Sequence, residues 1–242
     1  MRRVVCHLAL VFFLVGPTSA AEAQVQRPQF RPAVLGSAPD SLVNRIDTKE
    51  LLNQGQKDGA VMFCSVVSKT GEAVTSWTYR AIPGSDALER EVTKRLQETK
   101  FAPAIYNYQP VSVLISGTAV FSVVEAKPRL RIFLNQDSRE LKEAKDFIAP
   151  QPVFGADSKF DGLQAPEGSM RVPLTAIVDV MLKVDGHGKL LDLRVLAEDP
   201  PLLGFGAAAL ADFREAKFIP AFRDGDATES ETVFPVCYKP AE

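Results

Sequence analysis

The sequence predicts an α+β protein built from two tandem β-β-α-β units, each a three-stranded antiparallel or mixed sheet with one helix on one face. Three observations predict it. Lys100-Phe101-Ala102-Pro103-Ala104 returns 117 positions later as Lys217-Phe218-Ile219-Pro220-Ala221. The same offset carries Gly71 onto Gly188, Val67 onto Val184, Val74 onto Leu191, Val92 onto Ala209 and Leu96 onto Phe213, with no gap between the first strand and the proline. Repetition at one fixed offset is the mark of a duplicated unit. Finally, 242 residues with 46% hydrophobic and 24% charged side chains form an ordinary globular composition, long enough for two small domains.

The chain divides at 1–23, 24–58, 59–126, 127–170 and 171–242. The first stretch reads as a cleaved signal peptide: Arg2 and Arg3, an apolar run over 4–15, then Gly16-Pro17 and an Ala21-Glu22-Ala23 cleavage site before Gln24. The apolar run falls short of the ~20 residues that span a bilayer; retention as an anchor is the alternative. Residues 24–58 are an extended leader, with Pro28, Pro32 and Pro39, followed by a short helix over 48–56.

The first unit opens with 60–68 (AVMFCSVVS), an almost continuous apolar run that predicts a strand buried on both faces. Lys69-Thr70-Gly71-Glu72 turns the chain, and 73–79 (AVTSWTY), rich in β-branched and aromatic residues, returns it. A helix follows over 85–99. Leu88, Val92 and Leu96 share one face, while Glu89, Arg90, Lys94 and Arg95 cover the other. Pro103 cannot continue that helix, and 111–124 supplies the closing strand. Residues 127–170 connect the units: a strand at 129–134 (RLRIFL), a helix from Asp137 or Ser138 to Ile148, and a Pro/Gly-rich linker. The second unit repeats the pattern, with strands at 175–184 and 189–196, a helix over 206–217 burying Leu210 and Phe213, and a last strand at 232–238 (TVFPVCY).

This order dictates a topology. The helix carries the chain back along the sheet, so the last strand runs parallel to the second and lies beyond the first, which becomes central. Three strands and one helix sit near the lower limit of stable folding, so the two units should pack together or share an element. Phe101 and Phe218 are placed to plug the gap between helix end and sheet.

Little in the sequence points to catalysis. His187 lies between two glycines in a turn and reads as a solvated side chain. No serine-elbow motif accompanies it, and one histidine with two distant cysteines does not make a metal site. No catalytic residue, cofactor site or metal site is expected. The formal charge of -2, without a basic run, argues against nucleic acid as a partner. Cys64 and Cys237 lie in strand patterns of different units. Strand geometry rarely brings two given positions within bonding reach, so they read as unpaired thiols; a Cys64–Cys237 disulfide is the alternative, which an exported compartment permits.

The candidate binding surfaces are sheet edges, where an unpaired backbone can accept a peptide strand. In the first unit the edge is Val120, Phe121, Ser122 and Val123; in the second it is Val233, Phe234 and Val236. Pro235 removes one donor from the latter, which blunts it. The first edge, with Ser122, is the more competent docking surface of the two if it is free; the alternative is that 129–134 or the other unit covers it.

Taken in order, several motifs resemble the C-terminal domain of TonB-type energy transducers. They are Val184-Asp185-Gly186-His187-Gly188-Lys189-Leu190-Leu191-Asp192-Leu193-Arg194-Val195, then Ala207-Ala208-Ala209-Leu210, then Phe218 and Pro220, then Pro235-Val236. The first unit is a degenerate copy that keeps Gly71, Val74, Phe101 and Pro103. The resemblance implies a periplasmic β-β-α-β module of a Gram-negative cell envelope that binds extended segments of outer-membrane transporters by strand addition. Neither a spanning anchor nor a long proline-rich spacer is read here. The expected function is therefore a non-enzymatic periplasmic protein-binding or scaffold module, with a protein or peptide partner in the envelope, an outer-membrane transporter among the choices. The alternative is an energy transducer for transmembrane transport that keeps its N-terminal stretch as an anchor.

Overall fold

A computed structural model describes residues 28–143, 145–155, 158–166 and 174–239. The signal-peptide reading of 1–23 lies outside them. A short strand β1 (Phe30–Arg31) precedes helices α1 (Leu42–Arg45) and α2 (Thr48–Asn53), the second capped by the Asp47 carboxylate. The first unit continues through β2 (Gly59–Val67), β3 (Ala73–Ala81), α3 (Asp86–Leu96), β4 (Ala104–Tyr106), β5 (Gln109–Val111) and β6 (Val113–Val124). Between the units lie β7 (Lys127–Phe133), α4 (Ser138–Glu143), β8 (Phe147–Ile148) and β9 (Gln151–Pro152). The second unit holds β10 (Ala176–Val184), β11 (Leu190–Asp199), α5 (Phe205–Phe213), β12 (Phe218–Ile219), β13 (Ala221–Arg223), β14 (Asp226–Thr228) and β15 (Ser230–Tyr238).

The architecture is α+β. One sheet has the order β3-β2-β6-β7 and the other β11-β10-β15, all neighbours antiparallel. The first strand of each unit is internal, and the closing strand runs the same way as the second, as the crossover requires. Leu88, Val92 and Leu96 of α3 are buried against Val61, Phe63, Ile115 and Phe121. In the second unit Ala209 and Phe213 of α5 cover Val178, Val180 and Phe234. Phe101 and Phe218 are both buried.

The duplication holds at the level of single bonds. At the 117-residue offset β2 becomes β10, β4 becomes β13 and β5 becomes β14, residue for residue. The β2–β3 ladder slips register at Met62/Phe63 and Val66/Val67, and the β10–β11 ladder at the equivalent Asp179/Val180 and Lys183/Val184. In both hairpins the turn glycine accepts the N–H of the phenylalanine: Phe101 to Gly71 at 2.7 Å and Phe218 to Gly188 at 3.1 Å.

Four expectations need correction. The first sheet has four strands, because β7 pairs along β6. The connecting helix stops at Glu143 instead of reaching Ile148, since Phe147 and Ile148 form a strand against Arg223 and Phe222. The leader is not a free segment: Phe30 and Arg31 pair with Tyr106 and Ile105. Because β1 and β8 stand at the same offset and pair at equivalent positions, each unit begins earlier than the strand at which the pattern was first visible. A small hairpin, β4–β5, and its counterpart β13–β14 interrupt the run from proline to closing strand.

The units interlock. The core under α3 includes Val153 and Ile219 from beyond the first unit, and the core under α5 includes Cys64, Trp77 and Leu114 of the first sheet. Gln151, buried in β9 where that strand pairs with β12, accepts the Ala33 N–H at 2.8 Å and donates to the Ala33 carbonyl at 2.9 Å. The Arg80 guanidinium meets the Asp179 carboxylate through two 3.0 Å hydrogen bonds, joining β3 to β10.

Candidate functional site

The two sheet edges singled out in the sequence have different fates. At the first, Val120 pairs with Arg131, Phe121 with Leu130, Ser122 with Arg129 and Val123 with Pro128. The edge expected to be the better docking surface is therefore occupied by the chain itself. A two-residue turn, Glu125-Ala126, with φ of 51° and 59°, folds β7 back onto β6. Such a turn closes on a hydrogen-bonded pair, here Val124 and Lys127. Backbone groups alternate sides along a strand, so Val124, Ser122, Val120 and Thr118 face β7. The Val123 N–H points the other way and donates to the Asp58 carboxylate at 2.8 Å.

Among the described residues the second edge carries no partner strand, and it is exposed at Glu231, Val233 and Lys239. β15 pairs with β10 from Val184↔Ser230 to Ala176↔Tyr238 without a break, and no strand lies on its other side among the described residues. Phe234 and Val236 are spent on the core: Phe234 meets Phe213 edge-on at 5.8 Å, and both are buried. Val233 points away and is 40% exposed. The offset maps Ser116, Thr118 and Val120 onto Val233, Pro235 and Cys237. The outward backbone of β15 thus carries the Glu231, Val233 and Cys237 N–H groups and four carbonyls, with Pro235 the one position lacking a donor; Glu231 and Val233 are exposed, whereas Pro235 and Cys237 are buried. What the site can do chemically is accept an antiparallel strand through main-chain hydrogen bonds.

Behind this edge the two remaining candidates meet. Cys64 sits in β2 opposite Trp77 and Ser116, and Cys237 sits in β15 opposite Ile177. Both are buried free thiols in one core cluster that spans the two sheets, and they lie close enough to act on each other electrostatically. Burial pushes the Cys64 thiol well above its ordinary pKa, and Cys237 adds to the effect. Tyr79 is raised as well, by burial first and then by the two cysteines. The Lys239 ammonium lies 5.6 Å from the Trp77 ring centre, a cation–π contact that ties the end of β15 to β3.

The His187 side chain is exposed in the β10–β11 turn. Among the described residues no group of three or more His, Cys, Asp or Glu side chains is placed to hold a metal ion. A cleft of about 300 Å³ between the units is lined by Tyr106, Asn107, Gln109, Phe154 and Lys217, with a single cation and no acid–base pair. No described helix is long and apolar enough to cross a membrane. The sequence offers coverage by 129–134 only as an alternative, because Glu125-Ala126 lacks the glycine or asparagine that marks such turns. The Arg80–Asp179 fork likewise has no local signal; it depends on how the sheets pack.

No family model matches the chain, and no curated protein or solved structure is similar to it.

Proposed function

We propose that this protein is a non-enzymatic binding module that captures an extended protein segment by adding it as an antiparallel strand to the outer edge of β15. One observation carries the reading: β15 has no neighbour on that side among the described residues, whereas β6, its duplicate, carries β7 there. The first unit thus supplies an internal example of the complex, with a strand seated along a seven-residue register from Thr118↔Phe133 to Val124↔Lys127. Main-chain pairing provides the affinity in this mode, and alternate side chains provide the choice of partner. The exposed Val233 favours an apolar contact.

The setting we propose is the periplasm, with the partner a protein of the cell envelope, in keeping with the resemblance to TonB C-terminal domains. The test is an NMR titration with extended octapeptides, one of them copying residues 127–134. Strand addition predicts that shifts and slowed amide exchange concentrate at Val233, Cys237 and Lys239. Perturbations that gather instead on β3, β11 or the cleft beside Tyr106, or saturable binding that leaves β15 unmoved, would refute the reading.

A further inference from the structure

We propose that Cys64 and Cys237 are an oxidative cross-linking site, at which a disulfide forms between the two sheets and locks the units together. The inference is independent of the strand-docking reading. It rests on three features of the packing. The residues lie 173 positions apart in sequence, yet both side chains are buried in one core cluster, near enough to act on each other. They occupy the inner strand of one sheet and the edge strand of the other, so a bond between them spans the interface and not a local loop. Both are buried in the same core cluster, together with Trp77, Leu114 and Val236.

The chemistry balances with a small-molecule disulfide as oxidant. The Cys64 sulfur, as thiolate, attacks one sulfur of glutathione disulfide and releases one glutathione thiolate. The Cys237 sulfur then attacks the Cys64 sulfur of the mixed disulfide and releases the second. Two protein thiol protons pass to solvent or to the released thiolates, and the two electrons leave on the two glutathione molecules. Because burial keeps the Cys64 thiol protonated and shields both sulfur atoms from solvent, exchange in the folded state is slow and oxidation proceeds through opened or still-folding molecules. In an exporting cell the equivalent oxidant would be a dithiol carrier in its disulfide form.

The experiment uses the full chain, which carries three cysteines. Reduced protein is unfolded in guanidinium and refolded in a glutathione redox buffer, then alkylated and mapped by peptide mass spectrometry. The expected result is a fall from three thiols to one, with the Cys64 and Cys237 peptides joined and no glutathione attached to either. The oxidised protein should also unfold at a higher guanidinium midpoint than the reduced protein. In the Cys64→Ala, Cys237→Ala double variant the two redox conditions should give the same midpoint. Three free thiols after refolding, a stable glutathione adduct on either residue, or pairing of one of them with Cys6 would overturn the proposal.

Discussion

Ser68 and Asp185 hold the same place in the two hairpins and perform the same task with different chemistry. The Ser68 hydroxyl accepts the N–H groups of Thr70 and Glu72, at 3.3 and 3.0 Å. One Asp185 carboxylate oxygen accepts those of His187 and Lys189, both at 2.9 Å. Partial burial pushes Asp185 up, but the backbone donors and the neighbouring His187 and Lys189 outweigh it and hold the carboxyl below its ordinary value. A carboxyl whose folded pKa is depressed stabilises the fold above its unfolded pKa, about 3.9. That contribution disappears as pH falls through this value towards the folded one. Asp185→Ser, which copies the first hairpin, should therefore flatten the loss of stability as pH falls below about 4, read from urea midpoints at several pH values. The turn glycines support a second prediction. Gly188 has φ of +81°, and a Cβ there would lie 1.9 Å from the Phe218 carbonyl oxygen; Gly84 has φ of +86° but nothing within 4 Å. Gly84→Ala should cost only the left-handed backbone penalty, about 1–2 kcal/mol. Gly188→Ala must also break the hairpin away from Phe218, and should cost roughly 3–5 kcal/mol by equilibrium unfolding.

At the scale of elements, the contrast between β6 and β15 decides where a partner strand can go. Thr118 of β6 lies opposite Phe133, and its counterpart in β15 is Pro235. Proline leaves the edge able to pair but one donor short, a means of discouraging indiscriminate sheet extension. Pro235→Thr restores the donor that the first unit has. One hydrogen bond contributes about 0.5–1.5 kcal/mol, so a peptide that docks on β15 should bind roughly 2–10-fold more tightly, measured by titration calorimetry. The variant should also self-associate at lower protein concentration, detected by sedimentation. The strands themselves were legible, since AVMFCSVVS and TAIVDVMLKV declare buried strands by composition and the glycine turns mark their ends. The central position of β2 and β10 followed from connection order alone. Whether 129–134 or nothing pairs with the far side of β6 stays open in the sequence, because strand partnership between segments joined by an unmarked turn depends on tertiary contacts. For the same reason Phe147 and Ile148, apolar at helical spacing, were read as a helix end, although their edge is claimed by Arg223 and Phe222. Similarly, spacing could place Cys64 and Cys237 on strands but could not show that the two sheets turn those positions towards each other.

The whole molecule is better described as one interlocked body than as two domains in series. Each sheet alone, with its one long helix, is close to the smallest assembly that folds. Each core borrows from the other side: Val153 and Ile219 complete the core under α3, and Cys64, Trp77 and Leu114 complete the one under α5. Unfolding should therefore be a single calorimetric transition, with calorimetric and van't Hoff enthalpies in agreement. Two resolved transitions would show that the shared contacts do not couple the units. Gln151 provides the sharpest probe, because it is 2% exposed and satisfies both backbone groups of Ala33, a residue 118 positions away. Gln151→Ala leaves a buried N–H and a buried carbonyl without partners, at about 1–3 kcal/mol each. For a chain of this size 1 kcal/mol moves the midpoint by about 2–4 °C. The single transition should accordingly fall by roughly 5–15 °C while remaining single. If only part of the enthalpy moved down and a second peak stayed at the original temperature, the pairing of Gln151 with Ala33 would be a local fastening and not a link in one cooperative structure.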